Sequence, residues 1–123
     1  GLINDMWYRW AGDVGITGPD RGQGGKYLLL PPGYKGEVPP GYHVVRPATF
    51  SVWTVWRSFL VDGDPKPGVD AVKKNTRIYP LAQAPNPPKL NFINMSGKPF
   101  NMVGPAGWRF WAFWVRLSFS AMP

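Results

Sequence analysis

The stretch Phe50-Ser51-Val52-Trp53-Thr54-Val55-Trp56-Arg57-Ser58-Phe59-Leu60-Val61 decides the fold class. Its β-branched and aromatic side chains suit a pleated, half-buried surface better than a helix. Asp62-Gly63-Asp64 breaks the run. Pro67 through Asn75 then carries a proline and an acid early and Lys73-Lys74 late, the order that suits a helix dipole, and predicts the one short helix. Trp53 and Trp56 lie three apart, so on a two-residue period they point to opposite faces and at least one belongs to the core.

Working back, Tyr42–Arg46 reads as a short strand, preceded by a turn-rich stretch from Tyr34. The run Lys26-Tyr27-Leu28-Leu29-Leu30-Pro31, bounded by glycines before and Pro32-Gly33 after, reads as a fully buried strand. Residues 15–25, GITGPDRGQGG, hold five glycines and form a loop in which several positions need positive φ or close backbone approach. Residues 5–15 fit a helical turn or a strand equally well. Working forward, Arg77–Leu81 reads as a strand end, and the prolines of residues 82–90 require an extended arm. Two short strands are expected at 91–94 and 98–103, around Ser96-Gly97.

The chain has 123 residues, enough for one core. Its 15 glycines and 15 prolines imply many turns, while 44% hydrophobic and 15% aromatic residues oppose disorder. With no cysteine, it has neither a disulfide framework nor a thiol nucleophile. Gly1–Met6 do not read as a secretory leader and no apolar run reaches spanning length, so a soluble chain is expected, its compartment open. The formal charge of +7 comes from 14 basic against 7 acidic residues, and the bases are scattered rather than clustered. A solvated basic surface is expected, not a nucleic-acid groove.

An ordered series of motifs runs through the chain: Gly18-Pro19-Asp20, Gly24-Gly25-Lys26-Tyr27, Pro31-Pro32-Gly33-Tyr34, Gly36, Val38-Pro39, Val45-Arg46, Arg57, Asp62-Gly63-Asp64 and Tyr79-Pro80-Leu81. In these residues the chain resembles the bacterial family catalogued as domain of unknown function 1254, over about residues 5–105. The resemblance implies an internal fragment of a longer protein, with sheet edges left unpaired by missing opening strands and covered by self-association. Residues 106–123 depart from the family. This basic tail places three Trp and three Phe between Trp108 and Phe119 with no acid, as a frame shift or cloned environmental DNA would produce. Read as a helix, Trp108, Trp111 and Val115 share a face beside Arg109 and Arg116. Packing in a dimer or swapped oligomer fits that strip better than membrane insertion.

Candidate chemistry is sparse. His43 is the single histidine and the one acid-base candidate of its type, while Asp13 and Asp20, flanking the glycine-rich loop, are the alternative candidates, as oxygens near a metal-held water. A surface or structural histidine is the competing reading. Ser51, Ser58 and Ser96 lack a nucleophile elbow. Asp62 and Asp64, with Asp70 beyond them, offer oxygens for calcium without an EF-hand pattern, and Asx turns explain the same aspartates. The glycines at 22–25 precede a strand rather than a helix, which removes the nucleotide reading. Trp7, Tyr8, Trp10, Tyr34, Trp53 and Trp56 are the candidates for stacking on a sugar face, with core packing as the alternative.

The expected fold is mainly β: an antiparallel β-sandwich or partly open barrel with one short helix, in a β-rich region 1–105 followed by the tail. The expected function is binding of a small apolar or sugar-like ligand, or self-association, with no cofactor assigned. The alternative is a small hydrolase acting on an ester, lactone or glycoside through His43 or a metal-activated water.

Overall fold

The computed structural model describes residues 1–99, which fall into two compact units, residues 1–57 and residues 58–99. The first holds every strand found among the described residues. Strands β1 (Leu2–Asp5), β2 (Trp10–Asp13) and β5 (Val52–Val55) form an antiparallel sheet in the order β2-β1-β5. Strands β3 (Tyr27–Leu29) and β4 (His43–Val45) form a second, parallel pair, in register Tyr27 to His43 through Leu29 to Val45.

Among the described residues the architecture is mainly β with one α-helix, as expected, and its sheets are open rather than closed into a barrel. The parallel pair departs from an all-antiparallel arrangement for a reason of length. Parallel neighbours need a crossover of about a dozen residues or more. The stretch from Leu30 to Tyr42, PPGYKGEVPPGY after its first leucine, supplies one without a helix.

Residues 5–15 resolve into the turn and second strand of the β1–β2 hairpin and the start of a 3-10 turn at Gly15–Thr17, with β1 in the centre of its sheet. Ala11 is the extra residue of a β-bulge, since Ile3 faces Gly12 while Asn4 faces Trp10. The alternation of β1 buries Ile3 and Asp5. Ile3, Val45 and Val52 form the centre of the core, joined by Ala11, Val14, Tyr27 and Leu29, so side chains of both sheets meet there. Leu28 and Leu30 are also buried, on one face, while Tyr27 and Leu29 on the other are only half-buried, so β3 is not the fully buried strand that its leucine run suggests. Each such aliphatic side chain contributes roughly 1.5–3 kcal/mol on burial.

The long β run is paired only over Val52–Val55. Its ladder to β1 ends at the Leu2–Val55 pair, and residues 56–60 have no ladder partner among the described residues. β-propensity describes fit to a sheet and cannot create a neighbouring strand.

In the second unit, Val61 and Asp64 exchange backbone hydrogen bonds of 3.1 and 2.9 Å around Asp62-Gly63. Both central residues have positive φ, 52° and 81°, the type I′ pattern that Asp-Gly favours. Helix α1 (Lys66–Asn75) follows, with Pro67 in its first turn, Lys73 and Lys74 in its last, and Asp64 Oδ1 accepting the Lys66 N–H at 2.8 Å. The strand end expected at Arg77–Leu81 is instead irregular chain leading to a 3-10 turn at Leu81–Gln83. Residues 91–94 form no strand, and the partner expected at 98–103 lies almost wholly outside the described residues. Prolines at 85, 87, 88 and 99 remove ladder donors on both sides. The tail 106–123, with the oligomer contact assigned to it, also lies outside them. No helix among the described residues is long and apolar enough to cross a membrane.

Candidate functional site

Two buried aspartates organise the first unit. Asp5, 2% exposed, accepts from the backbone N–H groups of Trp7 (2.8 Å) and Arg9 (3.0 Å) through Oδ1, and from Arg9 Nε (2.7 Å) through Oδ2. Burial pushes its carboxyl up, but the Arg9 and Trp7 donors and the Arg9 charge outweigh this and hold it below the usual range. The turn so fixed puts Tyr8 in the left-handed region at φ 60°, an uncommon conformation for a bulky residue, with its ring tilted on Trp53 at 5.3 Å. Trp7 and Trp10, either side of it, stand 75% and 68% exposed.

Asp20 does the same for the glycine-rich loop. The Tyr27 hydroxyl donates to Oδ1, which also accepts from Gly15 N–H (2.8 Å), while Gly24 N–H donates to Oδ2 (3.1 Å). The Tyr27 hydrogen bond is the largest influence lowering the Asp20 pKa, with the loop amides adding to it against burial. Burial, then the Asp20 hydrogen bond and charge, push the Tyr27 phenol up to about 12. Tyr27 therefore keeps its proton near neutral pH. Both Asp20 oxygens are committed to holding residues 15–27 together.

This arrangement shapes an open cleft of about 250 Å³. Trp10 through Asp13 of β2 form one side, Thr17 and Pro19 come from the loop, and Tyr27 with His43 through Val45 complete it from β3 and β4. Trp10 Nε1 donates to Asp13 Oδ1 at 3.1 Å, so the exposed indole is tethered beside a carboxylate. The His43 ring packs on Tyr27 at 5.1 Å, and its nitrogens make no hydrogen bond among the described residues. Asp13 and His43 thus share the cleft, whereas Asp20 stands behind Tyr27 and has no hydrogen bond to the imidazole.

The remaining candidates lie elsewhere. Tyr34 is in the crossover, donating its hydroxyl proton to Glu37 O at 3.0 Å. Trp53 is half-buried on β5, and Trp56 lies beyond the end of β5, against Gly1. Asp62 and Asp64 serve the type I′ turn and the start of α1 in the second unit. Among the described residues, no three His, Asp or Glu side chains gather into a metal-holding group. Tyr27 and Gly25 entered the sequence reading as part of a family motif and a glycine string without a role in the site, and Asp5 did not enter it as a candidate. Asp5 and Arg9 at a four-residue spacing and a tyrosine directly after the glycine loop were the available signals.

Residues 1–80 match the family model described as "Protein of unknown function (DUF1254)". The chain belongs to the DUF1254 family. The DUF1254 match contains the whole first unit with its cleft, the Asp62-Gly63 turn and α1, and stops at Pro80. No curated protein and no solved structure matches the chain.

Proposed function

We propose that the first unit of this DUF1254 chain is a non-catalytic module that binds a small, ring-shaped ligand bearing hydroxyls on an apolar skeleton, a sugar-like molecule. The observation that carries this reading is the tethered, exposed Trp10 indole at a cleft also lined by Asp13, Thr17 and His43. An indole face receives C–H surface, while a carboxylate, a hydroxyl and an imidazole exchange hydrogen bonds with hydroxyl groups. A volume of about 250 Å³ suits one ring, since drug-sized ligands occupy roughly 300–1,000 Å³. The lining is mostly apolar, and Asp13, Thr17 and His43 add the polar groups that a sugar-like ligand would use and a purely apolar one would not.

The hydrolytic reading draws on the same His43 and Asp13 and predicts turnover of an ester, lactone or glycoside. It lacks a hydrogen bond between His43 and a carboxylate that would orient an imidazole base: Asp13 accepts from the Trp10 indole, and Asp20 accepts from Tyr27, Gly15 and Gly24. Calorimetric titration of the full chain with methyl glucoside, beside assays with a lactone, a nitrophenyl ester and a nitrophenyl glycoside, tests both. Saturable binding that weakens about tenfold in Trp10→Ala, without turnover, is the expected result. Turnover abolished by His43→Ala or by a chelator would replace binding with hydrolysis.

A further inference from the structure

The glycines at 24 and 25 are adjacent but serve different physical needs. Gly24 has φ +77° and would meet nothing within 4 Å if it carried a Cβ, so it supplies backbone freedom to the turn. Gly25 lies outside the left-handed region, so its backbone does not require glycine. What it supplies is space. A Cβ there would fall 2.9 Å from His43 Cδ2, 3.0 Å from His43 Nε2 and 3.3 Å from Asp20 Cβ. The first of these distances is closer than carbon atoms approach without displacement.

The imidazole is therefore held between the Tyr27 ring on one side and the bare backbone of Gly25 on another. Gly25 is itself placed by the knot around Asp20, since the Asp20 carboxylate accepts from Gly24 N–H and Gln23 N–H donates to Asp20 O at 2.9 Å. We infer that Gly25 is a positioning residue that sets where the His43 imidazole stands in the cleft, and hence which ligand hydroxyl it meets. The effect on ligand rests on the binding reading above, whereas the placement of the ring does not. A side chain at 25 would displace a terminal ring able to rotate, so the fold can absorb the change while the cleft cannot keep its shape.

His43 is the single histidine of the chain, which makes its ring proton resonances an unambiguous probe. The experiment compares full-length wild type, Gly25→Ala and Gly24→Ala by NMR, each alone and titrated with methyl glucoside. Gly25→Ala is expected to move both imidazole resonances without ligand and to weaken binding about fivefold, the loss of one hydrogen bond. Gly24→Ala is expected to lower Tm through its backbone and leave the imidazole in place. Unmoved resonances in Gly25→Ala would overturn the inference, and moved resonances with unchanged affinity would overturn its role in specificity. If wild type binds no glucoside, the binding reading fails, and the ligand-free spectra still decide whether Gly25 places the ring. Should Gly25→Ala not fold, adding His43→Ala restores folding if the imidazole is the obstruction, and failure to restore it overturns the proposal.

Discussion

Residues 1–57 and residues 58–99 both carry apolar side chains throughout and organise them in opposite ways. The first unit buries Ile3, Leu28, Leu30, Val45 and Val52 and uses two buried carboxylates to tie its loops. The second has no residue in the buried class, and Phe59, Leu60 and Val61 stand 79%, 60% and 52% exposed. The β-forming run from Phe50 to Val61 straddles the boundary and becomes a strand only where β1 lies beside it. Apolar, β-branched sequence creates a demand for partners, and the neighbouring chain determines whether that demand is met.

The sharpest way to break this comparison is to cut an apolar side chain on each side of it. Ile3→Ala is expected to cost about 2–5 kcal/mol, whereas Val69→Ala in α1, with no packed surroundings to lose, should stay within about 0.5 kcal/mol. Chemical denaturation measures both. Equal losses would mean that the second unit is as well packed as the first.

Acid should separate the units next. The Asp5 and Asp20 carboxyls lie below their ordinary value of 3.8 in the folded chain. Their stabilisation is present above that value and is lost as the pH falls through 3.8 toward the folded values. Hydrogen exchange is expected to show residues 1–30 opening first on acidification, and Asp20→Asn should flatten that response. At the alkaline end the sign is set by Tyr27. Its phenol is raised from 10.0 to about 12, so the neutral hydroxyl stabilises the fold below pH 10 and this support fades as the pH climbs toward 12. Tyr27→Phe should remove that dependence, read by thermal melts across the interval.

The smallest expected effect is in the type I′ turn. Gly63→Ala places a side chain at φ 81°, costing about 1 kcal/mol locally. The turn carries the Val61–Asp64 bridge and places Asp64 to accept from Lys66, so the change should appear in the exchange of the Val61, Asp64 and Lys66 amides and leave the global melt unmoved. A global shift would indicate that the turn supports more structure than its own bridge.

What the residues disclosed in advance follows the same division. The leucine run of β3, the strand carrying His43 and helix α1 were legible because period, flanking glycines and charge order are local signals. The central position of β1 was not, since Leu2–Asp5 carries one apolar alternation and owes its place to partners at both edges. In the site, Asp13, Trp10 and His43 were recognisable as chemistry, and their meeting in one cleft was not. Asp20 illustrates the limit. Its place among glycines suggested a loop or metal role, and only the fold brings Tyr27 against it, leaving Gly25 beside His43.

The pairing of Leu2 with Val55 sets an order of events in time. The β1–β2 hairpin closes over a few residues and can form in microseconds, whereas the other edge of β1 waits for a strand almost the whole unit away. On the ribosome, the first unit gains the third strand of its sheet only after residues 52–55 have emerged. Until then Ile3 lacks its Val52 core partner and Trp7, Tyr8 and Trp10 stand on an incomplete sheet, so the nascent chain displays its aromatic hairpin well before its core has closed.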